Sequence, residues 1–197
     1  KLFPMNGFNK EFIVSPGVGP DPAVQWSTQS IWADGAIITM KAFFERYSGV
    51  GKTNAVRLFP NGEPDTLSFY PLYEVIDPAG NAYDLTLMRF KDYAMARSRE
   101  YQIRIMLGIF GWDTAYHAGL GNVAKVAAVQ RYLRYVSARY GAYVDFWEIN
   151  NETGNTDLWL DITAGYLKTV DPYQHMISTS WEAPHHPAID INSPHDY

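Results

Sequence analysis

Two carboxylates four residues apart close an apolar run in "FWEINNE" (146–152): Glu148 and Glu152, with Asn150 and Asn151 directly before the second. Isolated buried carboxylates are costly, so such a cluster is either a well hydrogen-bonded network or a piece of chemistry. Desolvation raises the pKa of a carboxylic acid, which lets it keep its proton near neutral pH and donate it to a leaving oxygen. An amide beside it can hold a hydroxyl of the reacting group, and a guanidinium such as that of Arg57 can keep a neighbouring carboxylate ionised. Structural alternatives stand beside each role. Glu152 could be an acid set against the dipole of a helix that follows it, and Glu148 a hydrogen-bonded carboxylate within the fold that Arg57 simply neutralises.

Groups of this kind act only where strands and helices hold them, and the chain alternates short apolar runs with helical patterns. The runs at 2–8, 54–59, 101–110, 143–150, 175–181 and 188–197 read as six strands. Helices are expected over 37–51, 85–99 with Asp84 as N-cap, 123–139 with Asn122 as N-cap, and 157–170 closed by Asp171-Pro172. In the third of these, Val123, Val126, Ala127, Leu133 and Val136 include i, i+3 and i, i+4 pairs, and Gly141 stops it. A loop over 60–82 carries the turn signals Pro60, Asn61-Gly62, Pro64, Pro71 and Asp77-Pro78. Strands alternating with helices argue for a parallel sheet of βαβ units in one domain over residues 1–197.

Composition narrows the class. The chain has 197 residues, 47% hydrophobic and 15% aromatic, enough for a real core. Its 16 Lys+Arg against 21 Asp+Glu give a net charge of −5, with no basic stripe to suggest nucleic acid and no run long enough to suggest a membrane span. There are no cysteines, which excludes disulfides and thiolate metal sites. Six Trp and fourteen Tyr pack the core and could supply flat platforms in a cleft. The first residue is Lys1, consistent with a leader or upstream domain removed from a secreted or periplasmic protein. Nucleotide binding finds no support. "NGFNKEF" (6–12) lacks GxGxxG spacing, and Gly51-Lys52-Thr53 sits at a helix end before a strand, the reverse of a P-loop.

A (β/α)₈ barrel typically takes about 250 residues, roughly 30 per βα unit, so this chain accommodates about six units. The expectation is an α/β barrel truncated after the sixth. Active sites of such barrels lie at the C-terminal ends of the strands. Four expected strands end in polar groups: Arg57, Asn151-Glu152, Trp181-Glu182, and His195 with Tyr197.

At this point "WEINNE" resembles the fourth-strand motif of clan A glycoside hydrolases, in which an Asn-Glu pair ends the strand and the Glu is the acid/base. "NAVRLF" (54–59) is similar to the clan's second strand with its active-site Arg, here Arg57. "RYLRYVSARYGAYVDFWEINNE" (131–152) looks like the passage into strand four, and "HDY" matches the sixth-strand His-x-Tyr, here His195 and Tyr197. The resemblance implies a retaining hydrolase of a plant or algal β-glycan in which Glu152 protonates the leaving oxygen and then activates water. Asn151 would hold the sugar 2-hydroxyl, and Arg57, His195 and Tyr197 would orient and tune the nucleophile. Trp112, with Tyr116 and His117, and Trp181 would line sugar subsites. The two-carboxylate mechanism calls for no cofactor.

The sequence departs from the pattern at the nucleophile, a second carboxylate about 5–5.5 Å from the acid, which the clan carries on strand seven. The chain stops at Tyr197, so the nucleophile is expected outside it. Glu148 is a poor substitute, about 13 Å from Glu152 along a fully extended strand. Glu182 faces the same cleft, but nothing in the motif makes it a nucleophile. The alternatives are a catalytically inactive carbohydrate-binding barrel, or a fragment whose partner is the remaining part of the same barrel. His185, His186, Asp190, His195 and Asp196 crowd the last stretch. "PHHP" lacks the i, i+4 ligand spacing of a metalloprotease helix, so it reads as a loop lining the cleft and no metal is expected.

Overall fold

A computed structural model describes residues 55–58, 83, 92, 95–110, 119–151, 154–180 and 185–193, of which 56–58, 151 and 180 are described by their backbone alone. Five strands, β1 (Ala55–Leu58), β2 (Arg104–Phe110), β3 (Phe146–Asn151), β4 (Met176–Ser180) and β5 (Ile191–Asn192), form one sheet in that order. Every neighbouring pair is parallel. Strand order equal to chain order means the winding never reverses, as it must at the switch point of a doubly wound sheet. It is the winding that a (β/α) barrel wall requires. Five expected strands are thus present, the last shortened to two residues. The strand expected at 2–8, the helix at 37–51 and the loop at 60–82 lie outside the described residues, and of the helix at 85–99 residues 92 and 95–100 are helical.

The long helix α1 (Val123–Tyr140) starts where Asn122 Oδ1 accepts hydrogen bonds from the Ala124 and Lys125 amides. Its buried stripe, Val129, Tyr132, Leu133, Val136 and Tyr140, packs in one cluster with Ile105, Leu107 and Ile109 of β2 and with Trp147 and Ile149 of β3. Val123, expected on that stripe, is instead 82% exposed; it is the first residue of the helix and precedes the turns that meet the sheet. Gly141 ends the helix, but not through a left-handed backbone: its φ is −54°. A Cβ there would lie 2.6 Å from the Ser137 carbonyl oxygen and 3.2 Å from the Tyr173 ring, so glycine is required for close approach.

The segment 157–170 is helical as expected but not uniform. α2 (Asp157–Leu160), capped by Thr156 Oγ1 on the Trp159 amide, runs into a π-helical turn (Asp161–Gly165) and then α3 (Tyr166–Val170). Inside it, Thr163 Oγ1 donates to the Trp159 carbonyl at 2.7 Å.

Three aspartates organise the edge where the strands begin. Asp145, just before β3, donates its amide to the Ile105 carbonyl and accepts the Ile105 amide on its carboxylate, at 2.8 and 2.9 Å. Asp190, just before β5, repeats this on Ile177 of β4 at 2.9 and 2.7 Å, and its carboxylate also pairs with Lys168. Asp171, after α3, is 2% exposed. Its Oδ2 accepts from Trp147 Nε1 (3.0 Å), the His175 amide (2.9 Å) and His175 Nδ1 (2.9 Å), and its Oδ1 from the Tyr173 amide (3.1 Å).

Candidate active site

Parallel pairing brings the C-terminal ends of all five strands to one edge of the sheet, where βα connections leave it. Successive rows of paired residues cross the strands below that edge. Arg57, Met106, Phe146 and Met176 share one, Leu58, Leu107, Trp147 and Ile177 the next, and Gly108, Glu148, Ser178 and Ile191 the one after it toward the C-terminal ends. Arg57 therefore stands one pleat short of the Glu148 row, on a strand separated from β3 by β2. Gly108, the residue between them in the Glu148 row, carries no side chain.

Glu148 is 1% exposed in mid-strand and is engaged with other groups of the chain. Its row neighbour Ser178, also buried, shares a 2.9 Å hydrogen bond with Ser193. An apolar strand tolerates buried polar groups where they are engaged with other groups of the chain, as both of these are.

Above Glu148 the alternation of β3 breaks. Glu148 is opposite Ser178 and Asn151 opposite Ser180, so three steps along β3 match two along β4. This is a β-bulge with Ile149 and Asn150 facing Thr179. Ile149 joins the hydrophobic cluster, and Asn150, 0% exposed, accepts on Oδ1 from Nε1 of Trp159 in α2 at 3.2 Å. Consecutive residues thus both engage the helix layer. The bulge then returns Asn151 to the register set of Glu148 and Ser178. The extra residue also shortens the climb from Glu148 to the end of β3 below that of the fully extended strand assumed from sequence.

Trp159 is held from a second side, its ring 5.1 Å from that of Phe110 at a T-shaped 64°. Phe110 ends β2 directly opposite Asn150. Neither Asn150 nor Trp159 stood out as a supporting pair in sequence. The available signal was the asparagine directly after Ile149, because strict alternation cannot bring the side chains of both Ile149 and Asn150 to the helix layer without a bulge.

Of the residues expected to act, Arg57 lies in β1 and Asn151 ends β3, both by backbone position. Glu152, which follows Asn151 in the chain, and Trp112, Trp181, His195 and Tyr197 lie outside the described residues, as do Tyr116, His117, Glu182 and Asp196. His186 Nε2 is 3.2 Å from Asp161 Oδ1 and Asp190 is committed to Ile177 and Lys168, while His185 is exposed.

No family model and no curated protein sequence matches this chain. Solved structures do. Exo-beta-1,4-mannosidase Op5Man5 from Opitutaceae bacterium strain TAV5 aligns with a TM-score of 0.56 at 13% identity, over 78% of this chain and 33% of its own. Endo-glycoceramidase II from Rhodococcus sp., as a lactosyl-enzyme intermediate, gives 0.53 at 13% identity over 75% and 46%. The same enzyme in a cellobiose-like imidazole complex gives 0.52 at 13% identity over 75% and 45%. The chain spans less than half the length of these structures. They are TIM-barrel glycoside hydrolases, and at this identity the likeness is one of fold.

Proposed function

We propose that this chain is a six-unit portion of a single (β/α)₈ barrel that hydrolyses a plant or algal β-glycan with retention, Glu152 being its general acid/base. The observation that carries the reading is the end of β3, where a bulge delivers Asn151 to the C-terminal edge of a sheet wound in strict chain order. Glu152 is the next residue. The mannosidase and glycoceramidase likeness supports a barrel of the type in which such an edge is the active face.

In this reading Glu152 protonates the glycosidic oxygen and, in the second step, takes a proton from the attacking water. Asn151 holds the 2-hydroxyl, a contact that strengthens as the ring approaches an oxocarbenium ion. Arg57, His195 and Tyr197 keep the nucleophile ionised and aimed. Trp112 and Trp181 stack on sugar rings. The nucleophile itself is a carboxylate beyond Tyr197, and the protein is secreted or periplasmic, where polymeric substrate is met.

The test uses phenyl and 2,4-dinitrophenyl β-glucosides and β-mannosides with the full-length protein and its Glu152→Gln variant. A positioned acid contributes about 10²–10⁴-fold, so Glu152→Gln should lose activity on that scale toward the phenyl glycoside, whose leaving group needs the proton. Unchanged turnover in a folded variant would refute the assignment.

A further inference from the structure

We infer that Trp159 is a positioning residue for the Asn151–Glu152 pair, acting through its hydrogen bond to Asn150 in the β3 bulge. The inference rests on the function proposed above and adds a part to its machinery.

A bulge interrupts the ladder on one side of a strand, so the residues within it are held there by fewer regular pairings. Here Ile149 and Asn150 together face Thr179 of β4, while Asn150, directly before the pair, stays opposite Phe110 of β2. Its amide oxygen accepts from an indole N–H that is equally buried, both residues being 0% exposed. Solvent does not compete for this bond. Trp159 is in turn fixed by four neighbours along the chain or across it. Its amide is capped by Thr156 Oγ1 at 3.2 Å, its carbonyl accepts from Thr163 Oγ1 at 2.7 Å, and its ring meets Phe110 and the Asn150 amide.

The π-helical turn begins two residues later, at Asp161. Such turns carry one residue more than an α-helical turn, and they concentrate near functional sites. In this helix the irregularity follows the residue that anchors the bulge. A strand irregularity and a helix irregularity are therefore joined by one buried hydrogen bond. The bond ties α2 to the end of β3, at the residue directly before Asn151.

The experiment compares Trp159→Phe with wild type and Glu152→Gln in the full-length protein, using phenyl and 2,4-dinitrophenyl glycosides of the glycone that is cleaved. Phenylalanine keeps an aromatic ring against Phe110 and removes the donor. Misplacing an acid by a fraction of an ångström should cost about tenfold in kcat/KM for the phenyl glycoside, and less than about twofold for the dinitrophenyl glycoside, which departs without protonation. Simple loss of folded protein, or a shift of Asn151 from the 2-hydroxyl, lowers both substrates equally, so their ratio isolates positioning of the acid. If Glu152→Gln is impaired but Trp159→Phe keeps the wild-type ratio, the inference is overturned and the proposed function stands. If Glu152→Gln retains full activity, the function fails and the positioning role falls with it. Should Trp159→Phe not fold, Asn150→Ala removes the acceptor and is read the same way. Failure of both to fold would mark the bond as core structure and overturn a positioning role.

Discussion

Replacing Asp171 should be among the most damaging single changes at the N-terminal edge of the sheet, and its size can be worked from the groups it holds. Three of its four hydrogen bonds converge on Oδ2 and one on Oδ1. Trp147 is 0% exposed, so its indole N–H has no water to turn to. A bond from such a donor to a charged acceptor is worth about 1.5–3 kcal/mol. Tyr173 is exposed and His175 half-buried, so water recovers most of theirs, leaving about 1 kcal/mol between them. Asp171→Ala should therefore cost about 3 kcal/mol, or about 6–12 °C in Tm for a chain of this size. Asp171→Asn should cost about half. Its single oxygen can serve the crowded side, but its NH₂ then faces the Tyr173 amide, donor against donor.

The comparison is made by urea denaturation followed by tryptophan fluorescence, across pH. Burial alone would raise the Asp171 carboxyl, but the bonds from Trp147, His175 and Tyr173 outweigh it and hold its pKa below the ordinary carboxylate value. The folded protein thus binds this proton more weakly than the unfolded chain. The stabilisation is full above about pH 4 and is lost as pH falls through the depressed folded value. The gap between wild type and Asp171→Asn should accordingly be constant near neutrality and close in acid. An Asn variant within about 0.5 kcal/mol of wild type at pH 7, or a gap that widens on acidification, would refute the reasoning.

Two other changes test the same edge. Gly141→Ala forces a methyl group to 2.6 Å from the Ser137 carbonyl; overpacking of about 1–3 kcal/mol should exceed the gain of at most about 1 kcal/mol from a stiffer unfolded chain, so Tm falls. Asp190→Ala should strand the buried Ile177 amide and cost about 1–3 kcal/mol, with faster hydrogen exchange at that amide. Asp190→Asn keeps an acceptor and should leave the exchange rate near wild type; equal acceleration in both would show that the carboxylate does not hold Ile177.

What could be read in advance divides along physical lines. α1 and the helical span 157–170 follow from local information, a cap at Asn122 and apolar spacing ending at Gly141 and Asp171, and their limits fall within a residue of expectation. Strands β1 to β4 are likewise apolar runs between turn signals. The bulge is not local, since it exists only in the pairing of β3 with β4. The same holds for Asp145 and Asp190, read in sequence as residues within strands, and for Asp171, read as the close of a helix; the partners of all three lie on other elements. Asn150 was visible as part of a polar cluster, but its commitment to Trp159 depends on how α2 folds back over β3.

The matched aspartates before β3 and β5 have a consequence for how such a chain can change over time. Each grips both hydrogen-bonding groups of one residue on the preceding strand, Ile105 or Ile177. Sliding either strand by one residue would carry the carboxylate about 3.3 Å from its amide and break both bonds at once. Alignment is thereby decided at the floor of the sheet, remote from the rim. The connections above could be lengthened, shortened or exchanged without the strands losing step, leaving the rim open to revision while the floor keeps the count.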